Sequence, residues 1–389
     1  MNKADSERLG TAMQNLGLHE TSDPENSDVI VLNSCVVRQS AEDKVSGMIN
    51  SLKRIKRTRP DRVLALMGCM VGPQLNPLKD KFPHIDVFMR PQQYEPLIDL
   101  LAERSDIDTE GCLADLTPTK PSITSYVPVI HGCDEFCSFC IIPYRRGRQV
   151  SRPIQEIVRE VTLLVERGVK EITLLGQTVD AYGHDLADRP DLSDLMQSVH
   201  DIKGLHRIRF LTSHPNYMTS RIIRAIADLP KVCEHILLPF QAGDDQVLVN
   251  MRRSYKTYQY RDLIEEIRAT VPNVSISTDV IVGFPQESHE QFEASLSMLR
   301  DLQFDKVHAA AYSPRHGTIA YRKIPDDVPY EAKKARLKAI EELQETISTE
   351  INARLTGKTQ EILVEGRSKG MWQGRTRNDK IVSFSSNKD

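Results

Sequence analysis

Apolar runs and polar punctuation alternate along the chain in a strand–helix rhythm. DVIVLNSC (28–35) and RVLALMGC (62–69) are apolar runs that each end in a polar loop carrying a cysteine, as buried parallel strands do. Helical spacing over residues 5–16, 39–56 and 95–103 surrounds them, so residues 1–105 read as a small α/β unit. Residues 106–124 show no periodicity, carry two prolines and predict a linker. From residue 125 the alternation resumes six times, with strands expected at 126–130, 171–176, 207–211, 235–240, 274–283 and 306–312. The intervening helices are expected at 192–200, 220–229, 245–251 with 258–270, and 289–302. The helix after the first of these strands is the best marked. Ser151 offers a cap, Pro153 sits near the first turn, Gly168 stops it, and Ile154, Ile157, Val158, Val161, Leu164 and Val165 form its apolar stripe.

Six βα units fit a partial (β/α)6 barrel over residues 125–355, closed by a charged helix at 330–355. After Gly357 the pattern changes to short alternating strands, KTQEILVEG and GRTRNDKIVSF, so residues 356–389 form a separate β segment. The fold class is therefore α/β, with a β tail.

Composition adds mostly exclusions. At 389 residues the chain is long enough for two or three domains. A net charge of −3 gives no bulk argument for a nucleic-acid partner, so such a partner must be held by local patches. No apolar run reaches membrane-spanning length, and MNKADSERLG is not a secretory leader. Seven cysteines, an odd and unevenly spaced set, fit a reducing cytoplasm better than a disulfide framework.

Three of those cysteines carry the chemistry. Cys133, Cys137 and Cys140 stand in a C-x3-C-x2-C spacing within HGCDEFCSFCIIPYRRGRQVSRP (131–153). An iron–sulfur cube has four irons and usually takes four cysteines, so three leave one iron open for chemistry. Zinc with His131 as fourth ligand is the competing reading. Zinc sites favour two separated pairs, and no second pair follows here. Phe136 and Phe139 interleave the thiols and suit a cluster shielded from water. The loop follows the first barrel strand, at the end where barrel sites are built. Cys35 and Cys69 end two strands of the N-terminal unit, where α/β ligands collect, and could converge. Cys112 reads as incidental and Cys233 as structural.

The cysteine loop, with an aromatic immediately before its last cysteine, resembles that of radical S-adenosylmethionine (SAM) enzymes, and IIPYRRGRQVSRP narrows the resemblance to the methylthiotransferases. The resemblance implies that Cys133, Cys137 and Cys140 bind a 4Fe–4S cluster whose open iron chelates SAM, and that one electron splits the sulfonium to a 5′-deoxyadenosyl radical. NSCVVRQSAEDKV (33–45) and MGCMVG (67–72) resemble the family's second and third cysteine motifs. These motifs imply that Cys35 and Cys69 hold an auxiliary 4Fe–4S cluster involved in sulfur delivery. The family's first motif ends in Met-Asn followed by an Asp-Ser-Glu-Arg-like helix start, which is where this chain begins. Its cysteine is therefore expected upstream of Met1, and the auxiliary cluster lacks one thiolate in the chain as written.

Family positions also imply a SAM pocket from successive strand ends: Gly176 and Gln177, Ser213 with His214, Gln241, Thr278 and Asp279, and Gly283. Arg145, Arg146, Arg148 and Arg152 follow the cluster loop, and Arg252 and Arg253 precede Tyr255. Arginine forks suit phosphate oxygens, although one or two of these could bind the SAM carboxylate or pair within the barrel. The β segment resembles the start of a TRAM domain, implying tRNA contacts from Arg375 and Arg377, with only about half of such a domain present. Arg38, Lys44, PYRRGR and the Ala242-Gly243 after Gln241 set the chain apart from the ribosomal-protein branch and resemble the branch acting on N6-dimethylallyladenosine in tRNA. That branch implies methylthiolation at carbon 2 of the base beside the anticodon. One SAM supplies the radical and one the methyl, with flavodoxin or ferredoxin as electron donor, in a cytoplasmic monomer. Two alternatives stay open: a threonylcarbamoyladenosine substrate, and a tRNA-binding form that does not thiolate.

Overall fold

A computed structural model describes residues 1–36, 39–105 and 108–386. The chain divides into two compact units. The first gathers Met1–Lys120 with His131–Glu135 and Cys140–Arg148; the second holds Pro121–Ile130, Phe136–Phe139 and Gln149–Asp389. The cysteine loop is thus divided between the two.

The first unit is built on a parallel sheet, β1 (Val29–Ser34), β2 (Val63–Gly68) and β3 (Val87–Met89), with β2 central. Every residue of β2 is buried. Its side chains alternate between two cores, as the strand period of two requires. Val63, Ala65 and Met67 pack with Leu9, Ala12, Leu97 and Ile98, whereas Leu64 and Leu66 pack with Ile49, Leu52 and Ile55. The helices supplying those partners are Asn2–Asn15, Gln39–Thr58 and Glu95–Ser105. The sequence pattern does not reveal β3 or the helix Asn76–Lys81. Three- and six-residue elements are too short to display a period. In the 106–124 segment, Cys112, Leu113 and Leu116 join the core of this unit.

The second unit contains β4 (Thr124–Pro128), the two-residue strands β5 (Ile130–His131, Ile130 in this unit) and β6 (Val150–Ser151), then β7 (Glu171–Leu175), β8 (Arg207–Leu211), β9 (His235–Leu237), β10 (Ser275–Val282) and β11 (Lys306–Ala311). Strands β4, β7 and β8 form one parallel sheet and β9, β10 and β11 another. A parallel bridge between Ile208 and Val232 joins them, giving the expected six-strand succession. Helices Ile154–Glu166, Leu192–His200, Ser220–Asp228, Thr257–Thr270, His289–Leu302 and Tyr330–Ala353 accompany these strands, and one apolar core runs through the unit.

Two local expectations change. Ser151 does not cap the helix after β6. Pro153 is the N-cap and makes no side-chain cap bond, while the Ser151 hydroxyl donates to Asp185 at 2.6 Å. A serine held in a strand by a carboxylate is not available to the helix. The strand expected over 235–240 stops at Leu237, just before Pro239, which lacks an N–H for the ladder.

The tail forms an antiparallel sheet of β12 (Ile362–Ser368), β13 (Met371–Thr376) and β14 (Ile381–Phe384). Its β13–β14 turn docks on the barrel where strands begin. Arg207 donates to the carbonyl of Arg375 at 2.8 Å, and Arg209 to those of Thr376 and Arg377, each at 2.7 Å.

Candidate metal centre and cofactor pocket

Glycine shapes the start of the cysteine loop. Gly132 has φ near +67°, and a Cβ there would overlap the Arg148 carbonyl, so no other residue fits without moving that backbone. The Cys133 N–H then donates to the Gly147 carbonyl at 3.2 Å. Cys133 and Cys140 are half-buried and Cys137 is buried; none of the three is in a disulfide. In the second unit Ser138 fixes the middle of the loop, with its hydroxyl on Asn250 O at 2.7 Å, its N–H on Met251 O at 2.9 Å and its carbonyl accepting from Ala320 N at 2.7 Å. Beside it, Arg253 Nη1 donates to Cys137 Sγ at 3.4 Å. Among the described residues no three His, Cys, Asp or Glu side chains stand close enough together to hold a metal ion. Assignment of Cys133, Cys137 and Cys140 as ligands therefore rests on spacing and family rather than on thiols already converged.

The strand ends around Cys137 are stitched together. The Ser213 N–H donates to Leu237 O at 3.1 Å, and the Gln241 N–H to Asp279 O at 3.0 Å. Thr212 and Gln241 both hold positive φ, near 73° and 67°, a costly conformation for side-chain-bearing residues that clusters at functional sites. Ser213 Oγ and Gln241 Oε1 are buried with no hydrogen-bond partner among the described residues. Such atoms cost free energy unless a ligand or water satisfies them. Gly176 allows close packing, because a Cβ there would overlap Ile130 Cγ2; Gln177 and Asp279 are half-buried.

Gly283 has a different neighbourhood. Its N–H donates to Glu287 at 2.6 Å, and a Cβ on it would overlap the Lys333 stem, so this expected SAM-pocket position is packed by Lys333. Asp180, which the sequence reading does not single out, is fully buried and accepts the His214 N–H at 2.8 Å. His214 Nδ1 accepts from Asn216 N at 3.2 Å, and burial with the nearby Arg253 charge pushes its pKa down to about 2. The ring is neutral at any ordinary pH.

In the first unit the register pairs Ser34 with Gly68, so Cys35 and Cys69 leave adjacent strands at the same level. Gly68 makes this possible: with φ near +103°, its missing Cβ is where the Ser34 carbonyl and the Asn33 amide lie. Arg146 Nε donates to Cys69 Sγ at 3.3 Å, while its Nη2 reaches Asn2 Oδ1 at 2.9 Å and Asp5 Oδ2 at 3.0 Å. Burial pushes the Cys69 thiol up, and Arg146 draws it back down.

The arginines expected to meet tRNA divide sharply. Arg146 is buried in the pair just described, and Arg145 lies over Gly72, where it fills the space a side chain would take. Arg148 is exposed and pairs with Asp134 at 3.0 Å. Arg375 bridges Glu365 and Asp379 at 3.1 and 3.0 Å, and Arg377 chelates Glu234 at 2.7–3.1 Å. Arg152 pairs with Glu160 at 2.6 Å. Arg38 lies outside the described residues.

The cysteine spacing, a guanidinium on Cys137 Sγ and, among the described residues, two buried oxygens without hydrogen-bond partners fit an iron–sulfur centre and a polar cofactor. Comparison with known proteins bears on the same point. The radical SAM superfamily profile matches residues 127–299, the uncharacterized protein family UPF0004 matches 1–90 and the TRAM domain matches 353–389. Proteins named tRNA-2-methylthio-N(6)-dimethylallyladenosine synthase match almost end to end. That of Roseiflexus sp. (strain RS-1) is 48% identical over 99% of this chain and 82% of its own length. That of Herpetosiphon aurantiacus is 47% identical over 100% and 90%. The chain belongs to this synthase family, within the radical SAM methylthiotransferases. A third family member, from Dehalococcoides mccartyi (strain CBDB1), is 45% identical over 99% of this chain and 90% of its own. Membership implies a 4Fe–4S cluster and SAM. Among solved structures, the radical SAM methyltransferase TsrM from Kitasatospora setae superposes with TM-score 0.60 at 12% identity over 79% of this chain and 70% of its own. The cobalamin-dependent radical SAM enzyme OxsB superposes with TM-score 0.55 at 12% identity over 98% and 61%. At such identities the likeness concerns fold alone. Among the described residues no helix is long and apolar enough to cross a membrane.

Proposed function

We propose that this chain inserts a methylthio group at carbon 2 of N6-dimethylallyladenosine beside the anticodon of tRNA. The observation that carries the reading is near full-length identity of 45–48% to synthases named for that product, joined to a three-cysteine loop at the strand ends of a radical SAM barrel. Cys133, Cys137 and Cys140 hold the 4Fe–4S cluster, and the Ser213 hydroxyl and Gln241 amide oxygen take hydrogen bonds from SAM, helped by Gln177 and Asp279. When bound, the cluster and SAM supply the radical chemistry that an unactivated aromatic C–H requires; the protein's part is to bind, orient and exclude water. His214, neutral and hydrogen-bonded through Nδ1, adds no charge to that pocket.

Cys35 and Cys69 hold a second, auxiliary 4Fe–4S cluster as the sulfur source. Their strand-end placement and the Arg146 hydrogen bond to Cys69 support that role. Arg148 remains to meet tRNA phosphate, and the base is everted from the anticodon loop to reach carbon 2. A low-potential donor of the flavodoxin or ferredoxin kind supplies electrons, and the chain works as a cytoplasmic monomer. The test is incubation of the anaerobically reconstituted chain with SAM, dithionite and tRNA bearing dimethylallyladenosine, followed by mass spectrometry of the nucleosides. The expected product carries one added sulfur and one methyl. Formation of 5′-deoxyadenosine without that product contradicts the reading, and product only on threonylcarbamoyladenosine tRNA reassigns the substrate.

A further inference from the structure

We infer that Arg253 is a positioning residue for the cluster carried by Cys133, Cys137 and Cys140, and that its charge and hydrogen bond to Cys137 raise the cluster's reduction potential. The inference rests on the radical SAM assignment above.

Arg253 is only 8% exposed. Its Nη1 donates to Cys137 Sγ at 3.4 Å, its Nε to Tyr255 Oη at 3.2 Å and its Nη2 to Pro239 O at 3.4 Å. Three other arginines with largely buried side chains meet carboxylates: Arg146 meets Asp5 at 3.0 Å, Arg209 meets Glu171 at 2.9 Å and Arg336 meets Glu287 at 2.6 Å. Arg253 has two neutral oxygens and a sulfur. A buried guanidinium without an anion is expensive, so the site demands negative charge. Three thiolates on a 4Fe–4S cube supply it, because the assembly is net negative in both oxidation states and more so when reduced.

The geometry is fixed on every side. The Arg253 N–H is held by Leu248 O at 2.8 Å, and the preceding Arg252 turns the chain with φ near 59°. Tyr255 Oη, which receives the guanidinium, itself donates to Phe240 O at 2.9 Å. His214 nearby stays neutral, and Arg253 places a positive charge 3.4 Å from the Cys137 sulfur. Reduction adds an electron to the cluster. A cation and an N–H aimed at one ligand sulfur stabilise that added charge, which moves the potential upward.

The test uses the full chain in a Cys35→Ala, Cys69→Ala background, so that only one cluster is read. Iron and acid-labile sulfide are counted after anaerobic reconstitution, and the midpoint potential is taken by EPR-monitored titration. Arg253→Gln with iron and sulfide matching its parent is expected to titrate at a lower potential; the same potential would overturn the inference. Should Arg253→Gln hold no cluster, the parent itself decides: grown on 15N-guanidinium arginine, its reduced cluster is expected to show a 15N coupling in pulsed EPR, and no coupling would overturn the inference. A parent without iron would instead refute the radical SAM reading.

Discussion

The two ends of the parallel barrel solve the same problem in opposite ways. Where strands begin, Glu171 faces Arg209 at 2.9 Å, Arg207 reaches Glu361 at 2.7 Å, and Arg377 chelates Glu234, with backbone carbonyls of the tail taking the remaining guanidinium donors. Charges there meet opposite charges within the chain, while Glu171 Oε2 and His235 Nδ1 make no hydrogen bond among the described residues. Where strands finish, Ser213 Oγ and Gln241 Oε1 are buried without hydrogen-bond partners among the described residues, and Arg253 turns to a cysteine sulfur. Each end also buries a histidine held neutral by desolvation: His235 at the start of β9 and His214 after β8. A polar network closed on itself stabilises a domain junction. One left open invites a ligand, and in parallel barrels the open one belongs at the strand finish.

The largest effect should come from the open end. Cys137→Ala is expected to abolish formation of the methylthio product, read by nucleoside mass spectrometry, while leaving the folded barrel intact by circular dichroism. Next comes the closed end. Glu171→Ala strands Arg207 and Arg209 without their buried carboxylate and should cost about 3 kcal/mol or more in urea unfolding, with methylthiolation per folded molecule retained. Loss of activity exceeding the loss of fold would break the division of labour between the ends.

A pH series sharpens it further. His235 has its pKa lowered by burial; Arg209 and Lys306 lower it too, against Asp379 and Asp305. The unfolded chain takes up a proton below the ordinary histidine value near 6.5 while the folded chain does not. This contribution to stability is therefore intact above that pH and falls as pH falls. At pH 5 it should amount to a loss of about 2 kcal/mol. In His235→Gln the decline between pH 7 and pH 5 should be shallower by that amount; an unchanged slope would mean the ring titrates alike in the folded and unfolded chains. The smallest effect is expected at Arg148, whose exposed pair with Asp134 should contribute less than about 1 kcal/mol to stability. Arg148→Ala should nonetheless weaken tRNA binding and reduce its salt slope by about one.

The open end was the legible one. Its cysteines are three letters in eight residues, and strand-end motifs such as Gln241 and Ser213 follow apolar runs that advertise themselves. The closed end was not. The resemblance read Arg377 as a tRNA contact, and its ion pair was hidden because Glu234, which it grips, lies 143 positions away. Ser151 misled for the same reason: Asp185, 34 residues on, takes its hydroxyl. β3 escaped because three residues have no period, and the contact of Arg253 with Cys137 because that sulfur stands 116 residues upstream. Local propensity and spacing are written in the sequence, whereas the choice between a solvated and a paired charge is made by the fold.

The most direct test of the account counts iron and acid-labile sulfide per chain after anaerobic reconstitution, in the parent and in a Cys133→Ala, Cys137→Ala, Cys140→Ala variant. One 4Fe–4S cluster should disappear with the triple substitution, leaving only the iron of the auxiliary cluster proposed at Cys35 and Cys69. Equal iron in the two proteins, or none in either, would contradict the placement of the radical SAM cluster at the strand-finish end.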